Sequence, residues 1–498
     1  MLRPALLLAS AALALPAFAQ DAPALTAEDV AALRAEIRAL REEVAALKTQ
    51  QAQTDAKVQQ VATKPSAPMP SWRGAPQQSD SDAGFSFKPK GTIQADAGYV
   101  GIPGSTGGTV GPITGTFGAA GVNTNNLGFN SRLRRAIIGA EGSLPGGFGY
   151  NVEFELSQAS VGYEDVVLTY QKKGSPLKLT MGYHYPLASM ELMTSGKFTS
   201  FTERAGMNDA FNHNRRLGVS GTWSKGEALL SAGLFNEDIA NTNFNRTGWD
   251  AAFRGIWMPK LGATQLHLGL NAQHRTTSRD AQNMRYRQRP FTQLTDQRFL
   301  DTGRIAADGD DVLGLEFAAI QKGWHVTGEA QKLWVRGYND PSRVFAANNG
   351  TGGASAFLND DPAFFSGYVE AGLFLTGETR GYKGGRWDRT SVKRPFNKGG
   401  WGAVQLNARL DYTDLQDRVG AGAVAPGTLN FVNGGTQSGY GLSAIWMPTD
   451  YLRFLAQYQH ITVQGGPAAV AAFTSTVPRF DQRDYSTDAM VMRAQVDF

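Results

Sequence analysis

The chain closes on DAMVMRAQVDF, residues 488–498. Met490, Met492, Ala494, Val496 and Phe498 fall on one side of this stretch, and Arg493, Gln495 and Asp497 on the other. A period of two marks a strand, because successive side chains point to opposite faces. An apolar face ending on an aromatic predicts a strand that stands in a bilayer, with its ring at the membrane interface. A soluble sheet of this kind needs a second layer over its apolar face. No helices or second layer are predicted to cover so many apolar faces.

The same alternation recurs upstream. In GYNVEFEL, residues 149–156, Tyr150, Val152, Phe154 and Leu156 oppose Asn151, Glu153 and Glu155. In LKLTMGYH, residues 177–184, Leu177, Leu179, Met181 and Tyr183 oppose Lys178, Thr180 and His184. Near Gly91–Tyr99, Ile93, Ala95 and Ala97 oppose Thr92, Gln94 and Asp96. Counting such segments gives roughly sixteen strands, an even number as expected of a bacterial barrel. Short links such as LPGG, KKGSP, QKG and MPTD alternate with longer ones, as periplasmic turns alternate with external loops. GIWMPK and AIWMPT place Trp257 and Trp446 on one rim, where a girdle is expected. Two connections stand out. The segment after His184, YPLASMELMTSGKFTSFTER, is too long for a turn and predicts a loop folded into the lumen. The stretch 376–400 is long, falls on the short-turn rim, and carries Arg380, Lys383, Arg386, Arg389, Lys393, Arg394 and Lys398.

Composition agrees with a barrel. There is no Cys, which excludes disulfides, thiol nucleophiles and Cys-based zinc sites. Glycine is abundant at 58 residues, above the average of about 7%. The net charge of +4 is too small to predict a nucleic-acid partner. Beyond the N-terminus no apolar run reaches ~18 residues, so helical spans are not expected. The mean hydropathy of −0.29 is compatible with alternating strands, which average out.

Residues 1–19 read as a signal peptide, with Arg3, an apolar core Ala5–Leu15 and the small-x-small site Ala17-Phe18-Ala19. Residues 26–62 predict a periplasmic coiled coil. Val30, Leu33, Ile37, Leu40, Val44 and Leu47 repeat at 3-4 spacing, and Glu36–Arg41 and Glu43–Lys48 are register pairs. The seam leans towards a dimer, while Gln51 and Thr54 leave a trimer open. Residues 63–84, with Pro65, Pro68, Pro70 and Pro76, predict an extended linker. Residues 85–498 are the expected all-β unit, a 16-stranded antiparallel transmembrane β-barrel.

From Phe85 to Phe498 the chain resembles the phosphate- and polyphosphate-selective porin family of Gram-negative outer membranes. The resemblance rests on RLRRAIIGAEGSLPGGFGYNVEFEL, YEDVVLTY, PLKLTMGYHYPLASMELMTSGKFTSFTER, FRGIWMP with LHLGL, LTGETRGYK and VMRAQVDF. It implies a homotrimer in the outer membrane, with the third external loop folded inward and no cofactor. An anion channel needs fixed positive charge in a narrow passage, and Arg adds a planar fork for oxyanions. The resemblance places Arg134 and Arg135 in the pore, although alternation turns only one inward unless a bulge re-aims the other. The neighbouring Arg132 shares that strand. It sets Thr194, Ser195 and Lys197 at a third-loop anion site, Glu164 at a pore acid and Lys332 at a pore lysine. It sets Arg285, Arg287 and Arg289 on an inward fifth loop, to which Arg275 and Arg279 are also assigned. Two positions depart from the family: Leu192 stands at its central third-loop lysine and Thr92 at a first-strand arginine.

The expected function is a water-filled channel for small inorganic anions, phosphate or polyphosphate among them. Outer-membrane lipid and lipopolysaccharide are the expected surroundings. A general diffusion porin without anion preference, or a structural protein tethered or trimerised through its coiled coil, are the alternatives. Catalysis is not expected. The six histidines are scattered, and neither HExxH nor GxSxG occurs.

Overall fold

A computed structural model of the chain describes residues 27–62, 78–80, 84–101, 104–105, 127–158, 160–236, 239, 247–278, 283–337, 361–418, 432–465 and 484–498. The expected signal peptide, most of the expected linker, and Arg279 lie outside these residues. Two compact units are present, Met1–Ser71 and Trp72–Phe498. In the first, α1 runs over Ala27–Ala62 as one unbroken helix. Leu40, Val44 and Leu47 of its heptad line are exposed, at 54%, 48% and 58%.

The second unit is a closed antiparallel barrel. Its first wall strands are β1 (Phe85–Val100), β2 (Gly128–Leu144), β3 (Phe148–Glu155), β4 (Gly162–Tyr170), β5 (Leu177–His184) and β6 (Arg216–Lys225). Then come β7 (Ala228–Asn236), β8 (Trp249–Trp257), β9 (Thr264–Thr276), β10 (Ile305–Gln321) and β11 (Trp324–Gly337). The last are β12 (Ala363–Phe374), β13 (Ala403–Asp417), β14 (Val432–Thr449), β15 (Leu452–Gln464) and β16 (Asp484–Asp497). Each pairs with its neighbours in sequence, and β16 returns to β1 through Thr92↔Asp497 and Val100↔Ala489. Gly91 and Phe498 exchange N–H···O bonds of 3.1 Å in both directions. Closure leaves no wall strand with an open edge, the condition for β-structure in lipid. The sixteen strands expected from alternation are thus the wall.

Register decides which residues face outward. One cross-strand row reads Leu179, Gly221, Ala232, Phe253, Ala272, Leu313, Lys332, Phe365 and Asp414. Leu179, Phe253, Leu313 and Phe365 are exposed, so this row is the outer surface. Lys332 lies on it, beside Asp414, and does not reach the lumen. Its strand turns Leu333 and Val335 inward instead, both fully buried.

Three segments fill much of the interior. The third external loop, 185–215, carries α2 (Met190–Met193) and α3 (Gly206–Ala210). The fifth loop, 277–304, also turns inward. Met207, Phe211, Tyr286, Phe291, Leu294 and Phe299 from these two loops join Val312, Leu333, Phe364, Ile461 and Val491 of the wall in one buried apolar cluster. From the opposite rim, the long turn 375–402 inserts a short hairpin, Tyr382–Lys383 against Arg386–Trp387, with Trp387 buried.

Candidate functional site

The third loop crosses the lumen because the far wall satisfies its backbone. A buried loop carries amides and carbonyls that must find partners. Glu329 accepts from the N–H groups of Met190 (2.8 Å) and Glu191 (2.9 Å). Gln457 accepts from Thr202 N, and Asp411 from Gly206 N. Gln331 donates to Ala188 O, Ser443 to Ser200 O, and Arg493 to Thr202 O. Arg453 donates to the carbonyls of Lys197 and Thr199. These partners sit on β11, β13, β14, β15 and β16, so the loop is stitched to the arc opposite its own strands.

A buried ionic chain reinforces the stitching. Arg409 on β13 bonds Glu191 of the loop at 2.5 Å and Glu370 of β12 at 2.7 Å. Glu370 also receives Ser200 Oγ of the loop at 2.5 Å and Arg380 of the long turn at 2.8 Å. Arg380 stacks over Trp387. Loop, wall and turn thereby share one carboxylate. Glu316, Glu329, Glu370, Arg409 and Arg493 are each at most 5% exposed. This side of the lumen is packed.

Water reaches the other side. The inward side chains of Glu141 and Asp165 are 44% and 36% exposed, and Ser195, Lys178 and Arg386 are also exposed. The accessible arc is therefore β2 to β6 and the loop surface facing it. Arg134 and Arg135 both point into it. The β1–β2 register shifts between Gln94 and Ala95, where Ala95 faces Leu133 and Gln94 faces Arg135. Arg134 is the extra residue of that bulge. Its guanidinium forks onto Glu203 of the loop at 2.7 and 2.9 Å. Burial lifts the Glu203 carboxyl, but Arg134, with Arg493 and Arg135 behind it, brings it down to about 2. Glu203 therefore stays ionised, and the clamp holds, on acidification to pH 4.

Arg135 is different: no carboxylate lies within ion-pair distance among the described residues. It rests against the loop backbone at Gly196, where a Cβ would come within 1.7 Å of Nη1, so the contact requires glycine. Arg204 spends two donors on the carbonyls of Glu191 (3.0 Å) and Thr194 (2.6 Å) and has no acidic partner among the described residues. Lys197, Lys178 and Arg386 likewise have no acidic partner among the described residues. Burial holds the Lys197 ammonium below the usual lysine range, partly offset by Asp497 and Glu153. Arg215 is neutralised by Glu164 (2.5 Å) and Asp165 (2.7 Å) and lies over Tyr185 at 4.0 Å. Glu164, which the resemblance sets at a pore acid, thus holds the loop's far end through Arg215.

The other sequence candidates are distributed as follows. Thr194 is buried. Its hydroxyl donates to Met190 O and accepts from Trp387 N, so it closes α2 and docks the long turn. Ser195, the next residue, is exposed to the passage. Leu192 is 2% exposed, and its N–H caps onto Ser189 Oγ. A lysine there would be buried away from the passage. Thr92 is buried as well. Arg275 belongs to β9, not to the fifth loop, and is spent on Asp310 at 2.5 and 2.6 Å and on Phe211 O. Arg285 pairs with Asp301, and Arg289 contacts Asp209 at 3.4 Å. Arg287 between them has no acidic partner among the described residues. Arg132 ties the fifth loop to β2 through Gln293 O. Arg204, Glu191, Glu370 and Arg409 were not among the sequence candidates, whereas Arg386 lay in the basic turn that the sequence singled out. Alternation in AVQLNARLDY does put Arg409 on the polar face, but no local pattern names its partners.

The family model for phosphate-selective porin O and P matches residues 115–498. A protein of Caulobacter vibrioides, described as uncharacterized, is 37% identical over 460 residues, covering 90% of this chain and 81% of its own length. The outer membrane channel DcaP of Acinetobacter baumannii superposes at a TM-score of 0.47 and 12% identity, covering 84% of this chain and 99% of that one. The anion-selective porin from Comamonas acidovorans gives 0.44 and 11%, covering 82% and 99%.

Proposed function

As the chain belongs to the phosphate-selective porin O and P family, we propose that this outer-membrane porin passes small anions along the β2–β6 arc. The carrying observation is the set of cations on that path with no ion-pair partner among the described residues: Arg135, Arg204, Lys197, Lys178 and Arg386. Fixed positive charge in a confined passage lowers the energy of an entering anion and raises that of a cation. Ser195 adds a hydroxyl donor at the same surface. Phosphate itself is weakly favoured, because Leu192 and Thr92 stand where the family carries cations and both are buried. In a KCl gradient across a planar bilayer, the reversal potential takes the sign of chloride permeation. A potassium-selective potential overturns the reading, and a potential near zero makes the protein a general diffusion porin.

Catalysis has no support in this arrangement, since the family and the fold are those of a channel. The helix α1 enters the reading through the exposed heptad residues Leu40, Val44 and Leu47. An apolar stripe on a long helix is stable in water when partner helices cover it. We assign it to holding a homotrimer together from the periplasm. Deleting residues 21–62 is expected to leave the barrel folded while lowering the fraction of trimer on a gel run without boiling. Unchanged trimers together with membrane blebbing would instead indicate a tether.

A further inference from the structure

The basic turn 375–402 divides into two faces. Its first arginines go inward: Arg380 to Glu370, Arg386 towards Met193 O, and Arg389 to Asp497 and the Asp450 carbonyl. Val392 is then buried at the barrel mouth, and its N–H donates to Asp450. Beyond it the chain passes over the rim. Pro395 leads into a single 3-10 turn, Phe396–Lys398. The Phe396 ring lies 6.5 Å from Trp446, edge to face, and Trp446 stacks on Phe454 at 5.4 Å. Trp446 also donates to Trp401 O at 2.8 Å. Trp446 and Phe454 sit on the outward row beside Val404, so Phe396 and Trp401 lie on the membrane-facing side of the rim. They are 60% and 79% exposed.

Lys393, Arg394 and Lys398 are exposed beside these rings. Lys393 Nζ reaches Gly377 O, whereas Arg394 and Lys398 have no acidic partner among the described residues. The nearby acids are taken: Glu378 accepts from Lys393 N and Thr376, and Asp450 from Val392 N. A soluble surface has no reason to hold two large rings open beside unpaired cations. An interface between hydrocarbon and anionic headgroups does. Aromatic rings settle at headgroup depth, and basic residues at that depth are attracted to an anionic leaflet.

We propose that Arg394, Phe396, Lys398 and Trp401 form a binding site for an anionic phospholipid of the periplasmic leaflet. Arg394 and Lys398 take the headgroup phosphate, and the two rings enter the boundary below it. The site lies outside the barrel, apart from the anion path.

The test uses the full-length protein in nanodiscs of phosphatidylethanolamine doped with phosphatidylglycerol. Lipid retained after transfer to detergent is counted by native mass spectrometry. The wild type is expected to enrich phosphatidylglycerol, and R394E/K398E to lose that enrichment about 10-fold, with unchanged conductance and heat-modifiability as evidence of a folded barrel. F396A/W401A is expected to lose it partly, since the charges remain. Equal enrichment in wild type and R394E/K398E overturns the site. Displacement by millimolar inorganic phosphate would make it a free-anion site and overturn the lipid assignment. A Trp401→Cys variant that crosslinks to a second copy would make the patch a subunit contact, with the same consequence.

Discussion

Replacing Glu370 by Ala is expected to produce the largest loss of stability in the barrel. Its carboxylate is shared by Arg409, Arg380 and Ser200, and it is 1% exposed. Truncation leaves Arg380 without an acidic partner and Arg409 with Glu191 alone. Removing one partner from a buried ionic network costs about 3–5 kcal/mol, because the remaining charge is neither paired nor hydrated. The temperature at which the folded band disappears on a gel should fall sharply. Because Ser200 and Arg380 belong to the third loop and the long turn, both plugs should loosen as well. Single-channel current should become larger and noisier. Ser200→Ala is the milder companion: it removes only the loop's donor, costing about 1 kcal/mol, and should add noise with little change in melting. If both variants match the wild type in stability and current, the network does not anchor the loop.

Replacing Arg135 by Glu is expected to produce the largest change in selectivity. At an effective dielectric of about 40, two unit charges about 5 Å apart interact by about 1.7 kcal/mol. Reversing the sign doubles the change, to about 3 kcal/mol for an ion at that point. Salt screening in an aqueous passage reduces it, so the chloride-to-potassium permeability ratio should fall by about 10-fold. Arg135→Gln should fall between the two. Arg134→Gln should act differently: it leaves Glu203 with Arg493 at 3.4 Å as its remaining basic partner, and so loosens the loop and exposes more of the acid's charge together. Lys332→Gln provides the control, because its side chain is on the outer face. It should leave reversal potentials where they were. A selectivity change in Lys332→Gln, or none in Arg135→Glu, would show that ions follow another route.

The case of Lys332 shows where reading the chain has its limit. Matching a family motif carries a residue name to a position, but parity decides the face. Lys332 shares its row with Leu313 and Phe365, while Leu333 and Val335 take the inward places. Those inward apolar residues break the expectation that the lumen side is polar. They are tolerated because Phe211, Tyr286 and Phe299 are brought in by two loops to cover them. The paired arginines show the opposite outcome. Alternation admitted only one of Arg134 and Arg135 unless a bulge intervened, and the bulge is there. Leu192 is a third kind of case: its position in the motif is kept, but the local turn buries it.

The wall was legible from the sequence alone. Period-two alternation is a property of extended backbone, and each strand displays it without reference to any other. The count of strands, the two rims and the unusual turn at 376–400 follow from such local readings, and the resemblance to the family folded the third loop inward. What fills the lumen required the tertiary structure. Glu191 meets Arg409 across 218 residues, and Arg493 meets Asp96 across 397. No local pattern encodes which loop amide reaches which wall carboxylate, because those partners become neighbours only when the sheet closes. Closure decided which cations are spent holding the plugs, as Arg275, Arg380 and Arg409 are. It left Arg135, Arg204, Lys178 and Lys197 with no ion-pair partner among the described residues, on the side that water reaches.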